Sequence, residues 1–237
     1  LKAGVRPARQ PSSLPSVPSI AAAMWRAVNT AAWIGWIVVG LRLVTLWVFR
    51  EPELGDATWV LVAALEMLCC LEVVRMIVGS LKGNVLLGVA LHYTRVFVLF
   101  GIMPHVNRHP SPMLVLLAWT ITEICRYPYY IFGGARSAAL RFAVPVLTFP
   151  MGAGCEAWAC YTALPNLSGV AWVAACIQIG VNIIGGLATY PGMVVKGLKA
   201  VKGGQGPGQA GARPAAGEDA AGLRFPLDGR GGRSTAA

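Results

Sequence analysis

Residues 113–132 form an apolar stretch that is long enough to cross a bilayer, yet it contains charged side chains. Two charged residues and two tyrosines follow one another at i, i+3, i+4 and i+7, which places them on one face of a helix: Glu123, Arg126, Tyr127 and Tyr130. A charged group at the centre of a bilayer costs at least about 2.5–3.5 kcal/mol on insertion scales. We therefore expect this face to turn inward, where other helices enclose a polar site.

The composition is that of a membrane protein. Hydrophobic residues make up 56% of the chain and charged residues only 13%, and the mean hydropathy is +0.60, values well outside the range of an ordinary soluble domain. The formal net charge is +10, but the basic residues lie mainly in the flanks and between apolar runs, not on one surface interleaved with aromatic residues. We attribute them to membrane topology and expect no binding to nucleic acid.

Six apolar runs approach the ~20 residues that a membrane-crossing helix needs. They predict an all-α, polytopic bundle with spans at 27–48, 57–79, 84–103, 113–132, 138–161 and 168–190. The membrane domain is expected to occupy residues 23–200. The flanks, 1–22 and 201–237, are rich in small residues and proline without apolar periodicity, and they are predicted to be disordered.

The distribution of charge predicts the orientation of the bundle. Basic residues precede the first span, whereas the gap after it contains Glu51, Glu53 and Asp56 and no lysine. Lysine or arginine then follows the second, fourth and sixth spans. Because positive residues favour the cytosolic side of a membrane, both termini are expected to face the cytosol.

The cysteines and histidines give no sign of a disulfide or a metal site. All six cysteines fall in or near predicted spans, where a free cysteine behaves as a small apolar residue. Cys69 and Arg75 have the Cys-x5-Arg spacing of a tyrosine phosphatase loop, but such a loop needs free backbone amides, and a helix uses its amides internally. The histidines, His92, His105 and His109, lack a carboxylate or cysteine partner at metal-ligand spacing.

Several short motifs give the chain a family resemblance. They are WTITEICRYPYYIF at 119–132, the pattern Asn29-x5-Gly35-Trp36, the pair Leu65-Glu66, Arg95, and FPMGAGCE at 149–156. Over about residues 24–196 the sequence resembles the 3-hydroxyacyl-CoA dehydratases of very-long-chain fatty acid elongation, also called protein tyrosine phosphatase-like proteins. The WTxTExxRYxxY pattern is the most specific of these motifs.

The resemblance implies a six-span protein of the endoplasmic reticulum membrane that converts a (3R)-3-hydroxyacyl-CoA to a trans-2-enoyl-CoA. It implies no cofactor, a long-chain acyl-CoA substrate, and elongase and reductase subunits as partners. In the family, a tyrosine and a glutamate of the motif Y-P-x-G-x-x-x-E carry out catalysis. The glutamate is Glu156 here, whereas Phe149 stands in the place of the tyrosine.

The missing tyrosine leaves two hypotheses open. Dehydration needs a base for the proton next to the thioester and an acid for the departing hydroxyl, and a phenyl ring supplies neither. The chain is then either a dehydratase that uses another proton donor, or a catalytically silent relative that binds acyl-CoA or scaffolds elongase subunits. We disfavour a third hypothesis, a small transporter, because the two halves of the sequence show no internal similarity.

Polar residues in the predicted spans are the candidates for the site. Glu156 is the predicted catalytic residue, and its structural alternative is an ion pair with Arg95 or Arg126. The residues expected to support the site or orient the substrate are Arg95, Glu123, Arg126 and Tyr127. The candidate donors in place of the missing hydroxyl are Tyr127, Tyr130 and Tyr161. Glu66 and Glu72 are expected to form ion pairs between helices.

The spacing of Phe149 and Glu156 has a geometric consequence. Seven residues are nearly two turns, so a regular helix would place both side chains on one face, about 10 Å apart. Pro150, Gly152 and Gly154 lie between them and predict an irregular helix in which this distance is shorter.

Overall fold

The computed structural model describes residues 20–49, 51, 54–81 and 84–203. Within these residues the regular elements are helices, and no strand is present. The α-helices are α1 (Ile20–Phe49), α2 (Asp56–Ile77), α3 (Val85–Phe97), α4 (Pro110–Phe132), α5 (Ala135–Ala163), α6 (Gly169–Gly180) and α7 (Gly186–Gly203). The predicted all-α class is therefore confirmed.

Short turns of other helical types extend or join these helices. A π turn, Val98–Ile102, and a 3-10 turn, Met103–His105, continue α3. A second π turn, Val181–Gly185, joins α6 to α7. Each predicted span thus coincides with a continuous or nearly continuous helical segment.

Four of these segments are long and apolar enough to cross a membrane. They are Ile20–Phe49, Val85–His105, Ala135–Asn166 and Gly169–Gly203. The helices α2 and α4, which carry Glu66 and Glu123, are not among the four. The described residues thus form an all-helical protein with four candidate membrane-spanning helices, and the count of six spans stays a prediction.

Helix extends into both flanks of the predicted membrane domain. α1 begins at Ile20, and α7 ends at Gly203, so three residues of each flank that the sequence predicts to be disordered are helical. The rest of that prediction concerns residues 1–19 and 204–237, which lie outside the described part of the chain.

α4 occupies a central position, with α1 and α5 packed against it. α5 also contacts α6 and α7, and α2 packs beside α1 and α3. Glycines permit close approach at two of these contacts. A Cβ at Gly35 would lie 2.6 Å from Leu65 Cδ2, between α1 and α2, and a Cβ at Gly197 would lie 2.8 Å from Val146 Cγ2, between α7 and α5.

Side chains of neighbouring helices compensate for two prolines inside the bundle. Proline has no N–H, so Pro128 leaves the carbonyl of Ile124 without its usual partner, and Pro150 does the same to Val146. Trp33 Nε1 donates to the Ile124 carbonyl at 3.0 Å. Tyr190 in α7 donates its hydroxyl to the Val146 carbonyl at 3.1 Å.

α5 runs without interruption from Ala135 to Ala163, through both Pro145 and Pro150. The helix therefore has no break at Pro150, and the shorter distance between Phe149 and Glu156 stays a prediction. The hydrogen bond from Tyr190 satisfies the carbonyl that Pro150 frees.

Candidate functional site

The polar face of α4 lies inside the bundle. Glu123 and Tyr127 are each 2% exposed, and the Arg126 side chain is 16% exposed. Tyr130 packs against the apolar core, and the guanidinium carbon of Arg126 lies 5.7 Å from its ring centroid. This face therefore contributes its charges to the interior, where other helices must neutralise them.

Arg95 on α3 joins two buried glutamates. Its Nη1 donates to Glu123 Oε1 on α4 at 2.8 Å and to Glu66 Oε2 on α2 at 3.4 Å. His92, three residues earlier on α3, places its Nδ1 2.8 Å from Glu66 Oε1. These contacts tie α2, α3 and α4 together. Because removal of one partner would leave a buried charge uncompensated, they constrain the packing of the three helices.

Arg126 extends this chain of ion pairs. Its Nε donates to Glu123 Oε2 at 2.7 Å, and its Nη2 lies 2.6 Å from the same oxygen. Its Nη1 donates to Glu72 Oε2 at 2.8 Å. Glu66 and Glu72 thus form the inter-helix pairs expected of them. We call the five ionised residues Glu66, Arg95, Glu123, Arg126 and Glu72 the ion-pair chain.

The three tyrosines that are candidates for the missing proton donor contact other groups than Glu156. The Tyr127 hydroxyl is 3.3 Å from Cys69 Sγ, and Tyr130 packs between the guanidinium groups of Arg126 and Arg141. Tyr161 is 69% exposed. Among the contacts of the described residues, none of these three tyrosines forms a hydrogen bond with Glu156.

Glu156 on α5 is buried and accepts hydrogen bonds from two other helices. Trp119 Nε1 on α4 donates to Oε1 at 2.8 Å, and Gln178 Nε2 on α6 donates to Oε2 at 3.5 Å. The contacts of the described residues include no ion pair of Glu156 with Arg95 or Arg126, so this structural alternative is not realised. Arg95 instead contacts Trp119, the hydrogen-bond donor to Glu156, with its guanidinium carbon 5.1 Å from the ring centroid.

The π turn between α6 and α7 brings another amide to this carboxyl. Asn182 lies beside Glu156. Its Nδ2 is buried and has no hydrogen-bond partner among the described residues. Such unpaired buried donors are uncommon in folded proteins, and π turns are frequent at functional sites. The Asn182 amide therefore interacts with the Glu156 carboxyl without a hydrogen bond of normal geometry.

Phe149 lies on α5, seven residues before Glu156, and is partly buried. A Cβ at Gly186, where α7 begins, would lie 3.9 Å from Phe149 Cε1. Because α5 is continuous, the two positions are separated by a rise of about 10 Å along the helix. The neighbouring Thr148 places its hydroxyl 2.6 Å from that of Thr122 on α4.

Sequence reasoning missed four side chains of this region. They are Trp119, Gln178, Asn182 and His92. The prediction that His92 lacks a carboxylate partner is wrong, because Glu66 on another helix lies 2.8 Å away. Gln178 and Asn182 are amides at i and i+4 in an otherwise apolar run, and this spacing on one helical face was a usable signal. Trp119 begins the most specific motif, but a tryptophan in an apolar run is usually interpreted as a core residue. The role of its N–H as a donor was therefore not predicted.

The Cys-x5-Arg spacing does not build an anion-binding loop. Cys69 and Arg75 both lie within α2, where backbone amides bond along the helix. Cys69 is fully buried and receives a hydrogen bond from Arg126 Nη2 at 3.7 Å. The guanidinium carbon of Arg75 lies 4.1 Å from the Trp25 ring centroid.

Comparison with known families gives a match over more than half of the chain. The family model of the protein tyrosine phosphatase-like proteins (PTPLA) matches residues 66–195. This range includes the ion-pair chain, Trp119, Phe149 and Glu156. No solved structure matches the chain.

Individual relatives are similar at low identity. Very-long-chain (3R)-3-hydroxyacyl-CoA dehydratase 1 of Ovis aries is 26% identical over 148 residues, which are 58% of this chain and 51% of the relative. Dehydratase 2 of Homo sapiens is also 26% identical, over 58% of each chain. The dehydratase PASTICCINO 2 of Arabidopsis thaliana is 28% identical over 59% of this chain and 67% of its own. The chain thus spans about half the length of the first of these relatives.

Proposed function

Because the chain belongs to the protein tyrosine phosphatase-like protein (PTPLA) family, we propose that it dehydrates (3R)-3-hydroxyacyl-CoA to trans-2-enoyl-CoA in very-long-chain fatty acid elongation. The reaction is that of a carbon–oxygen lyase and uses no cofactor. Glu156 is the proposed catalytic residue. Arg95, Glu123, Arg126 and Tyr127 support it by holding the helices around it.

The observation that carries this proposal is the environment of Glu156. Burial of a carboxyl side chain within membrane-spanning helices costs free energy, and such residues are therefore rare and mark functional sites. Trp119 and Gln178 hold one oxygen each, which fixes the orientation of the carboxyl without neutralising it by an ion pair. A base for proton abstraction must be held in a fixed position beside the substrate.

We infer that Glu156 serves as both base and acid, since Phe149 has no proton to give. The Glu156 carboxylate removes a proton from the carbon next to the thioester, which leaves an enolate. The bond from the neighbouring carbon to its hydroxyl then breaks as the carbon–carbon double bond forms. The protonated Glu156 returns its proton to the departing hydroxide, so water leaves and the carboxylate is restored.

The enolate of this route needs a hydrogen-bond donor at the thioester oxygen. Asn182 interacts with the Glu156 carboxyl, and its buried Nδ2 makes no hydrogen bond of normal geometry to a described residue. Preorganised amide donors of this kind stabilise developing oxyanions. We assign Asn182 this role in the proposed reaction.

The location of the substrate follows from its two ends. The acyl chain is as apolar as lipid and stays in the bilayer, while the anionic CoA head stays in water. We propose that both termini and the basic ends of the second, fourth and sixth spans face the cytosol, in a six-span protein of the endoplasmic reticulum membrane. The CoA head would then meet a basic surface, near elongase and reductase partners. A glycosylation acceptor fused after Ala237 should stay unmodified if this topology is right.

Deuterium at the carbon next to the thioester tests the single-carboxyl route. One carboxyl can reach only one face of the substrate, so the hydrogen and the hydroxyl must leave from the same face. With each stereospecifically deuterated substrate, the purified protein in bilayers should lose only the isotope that lies on the hydroxyl face. Loss from the opposite face would require a second catalytic group and would overturn this route.

The silent alternative, an acyl-CoA-binding or scaffolding relative, is favoured by one observation. Tyr127 contacts Cys69 and Tyr161 is mostly exposed, and none of the three candidate tyrosines bonds to Glu156 among the contacts of the described residues. The same assay separates the two functions. Dehydration by the native chain supports the enzyme, whereas dehydration by Phe149→Tyr alone, with an inert native chain, supports the silent relative.

A further inference from the structure

A second group of chemically active side chains lies at one end of the ion-pair chain, between α2 and α3. Glu66 and Cys70 are one turn apart on α2, and His92 faces them from α3. A carboxylate oxygen, the thiol sulfur and an imidazole nitrogen of these residues all lie within 4.8 Å of one another. We propose that Glu66, Cys70 and His92 bind a zinc ion.

The donor set is the one that zinc prefers. Zinc in proteins binds thiolate, imidazole and carboxylate ligands at about 2.0–2.3 Å in a tetrahedron. The tetrahedral angle then separates two ligand atoms by roughly 3.3–3.8 Å. The observed separations begin at 2.8 Å, between His92 Nδ1 and Glu66 Oε1, and end below 4.8 Å. Small side-chain movements therefore suffice to place an ion between the three atoms.

A thiolate and an imidazole also select against magnesium and calcium, which favour oxygen ligands alone. Three protein ligands leave one tetrahedral position for a water molecule. Cys70 is half-buried, whereas Glu66 and His92 are buried. Cys69, next to it in sequence, contacts Tyr127 and Arg126 instead and takes no part.

The surroundings of the carboxylate suit a metal ligand. Glu66 directs Oε1 toward His92, while Arg95 Nη1 lies 3.4 Å from its other oxygen, Oε2. Arg95 is itself held by Glu123 at 2.8 Å. Outer hydrogen bonds of this type orient metal-binding carboxylates and are part of most metal sites.

The formal charge of the region gives an independent reason for a cation. The ion-pair chain contains three carboxylates, of Glu66, Glu72 and Glu123, and two guanidinium groups, so it has one negative charge in excess. An uncompensated charge is unfavourable in the membrane interior. Zinc binding displaces the thiol proton of Cys70, and a divalent ion together with one thiolate adds a single positive charge. The region is then neutral.

A protonated His92 would neutralise the same charge without a metal, and the metal content of the protein separates the two arrangements. The full chain is purified in detergent with a histidine-free affinity tag, exchanged into metal-free buffer, and analysed by elemental mass spectrometry. We expect about one zinc per chain, as for a site with three protein ligands. Cys70→Ser and His92→Ala should lose the metal. Cys125→Ser, which alters another half-buried cysteine, on α4, should retain it.

Cobalt substitution tests the same site by absorption spectroscopy. The native chain loaded with Co²⁺ should show the ultraviolet absorption of a thiolate–cobalt bond, and Cys70→Ser should abolish it. A native chain that retains no zinc and shows no such absorption would overturn the proposal, and His92 would then act only as the ion-pair partner of Glu66. Both readouts are independent of dehydratase activity, so they stand even if the proposed function fails.

Discussion

Trp119 Nε1 donates a hydrogen bond to Glu156 Oε1 at 2.8 Å, so a side chain of α4 holds the buried carboxyl of α5 in place. The face of the same indole lies 5.1 Å from the guanidinium carbon of Arg95. Trp119 therefore connects the ion-pair chain to the proposed catalytic residue. Neither Arg95 nor Arg126 needs to contact Glu156 for the two groups to be coupled.

Trp119→Phe removes this donor and retains most of the ring. A hydrogen bond to a charged group contributes about 1.5–3 kcal/mol, and 1.4 kcal/mol is about a tenfold change in rate. We expect the dehydration rate of the variant to fall about tenfold to a hundredfold while the fold persists. Trp158→Phe, at a half-exposed position of α5, is the matched control. Equal rates for both variants would show that the indole N–H does not support Glu156.

Arg95→Met should destabilise the bundle strongly. The substitution leaves the carboxylates of Glu66 and Glu123 buried with one cation fewer, and breaking a buried ion pair costs about 3–5 kcal/mol. The thermal unfolding midpoint in detergent should drop well below that of the native protein. Arg42→Met, at an exposed position of α1, should leave it almost unchanged. If both variants unfold at the native temperature, the ion-pair chain does not stabilise the packing.

The hydrogen bond of Tyr190 should depend on Pro150. Tyr190→Phe frees the Val146 carbonyl and should cost about 0.5–1.5 kcal/mol of unfolding free energy. In a Pro150→Ala background, the alanine N–H can bond the same carbonyl, so the cost of Tyr190→Phe should shrink. A double-mutant cycle measures this coupling. Identical costs in both backgrounds would mean that the tyrosine does not compensate for the proline.

Two glycines of α7 should respond to alanine with opposite signs. At Gly197 a Cβ would lie 2.8 Å from Val146 Cγ2 and 3.0 Å from the Phe142 carbonyl oxygen, so Gly197→Ala should destabilise the protein by about 1–3 kcal/mol through overpacking. At Gly192 a Cβ meets nothing within 4 Å, and Gly192→Ala should stabilise α7 by up to about 1 kcal/mol. Thermal unfolding of the pair measures both. A stable Gly197→Ala would contradict the close packing of α5 and α7.

The helical fold could be predicted from the sequence because apolar runs of membrane-spanning length leave few alternatives. The inward orientation of Glu123 followed from the cost of a charge in lipid. The hydrogen bond that compensates for Pro150 could not be predicted, because its donor is Tyr190, a residue 40 positions after Pro150. Local sequence contains Pro150 but not the partner that compensates for it.

The candidate site was also predicted only in part. Glu156 was found through the family motif, and its partners were missed because they come from α4 and α6. The sequence does not show that the indole N–H of Trp119 and the amide of Gln178 lie 2.8 and 3.5 Å from one carboxyl, because only the fold brings them together. The His92 contact with Glu66 was likewise invisible, because it joins two helices across 26 residues of sequence.

The most direct test of the account is the dehydration of a long-chain (3R)-3-hydroxyacyl-CoA by the purified, bilayer-reconstituted protein and by Glu156→Gln. Glutamine preserves the size of the side chain and can still meet Trp119, but it cannot accept and return a proton. We predict that the native chain forms the trans-2-enoyl-CoA and that Glu156→Gln, folded to the same thermal midpoint, does not. A Glu156→Gln variant as active as the native protein would contradict the central role of this carboxyl.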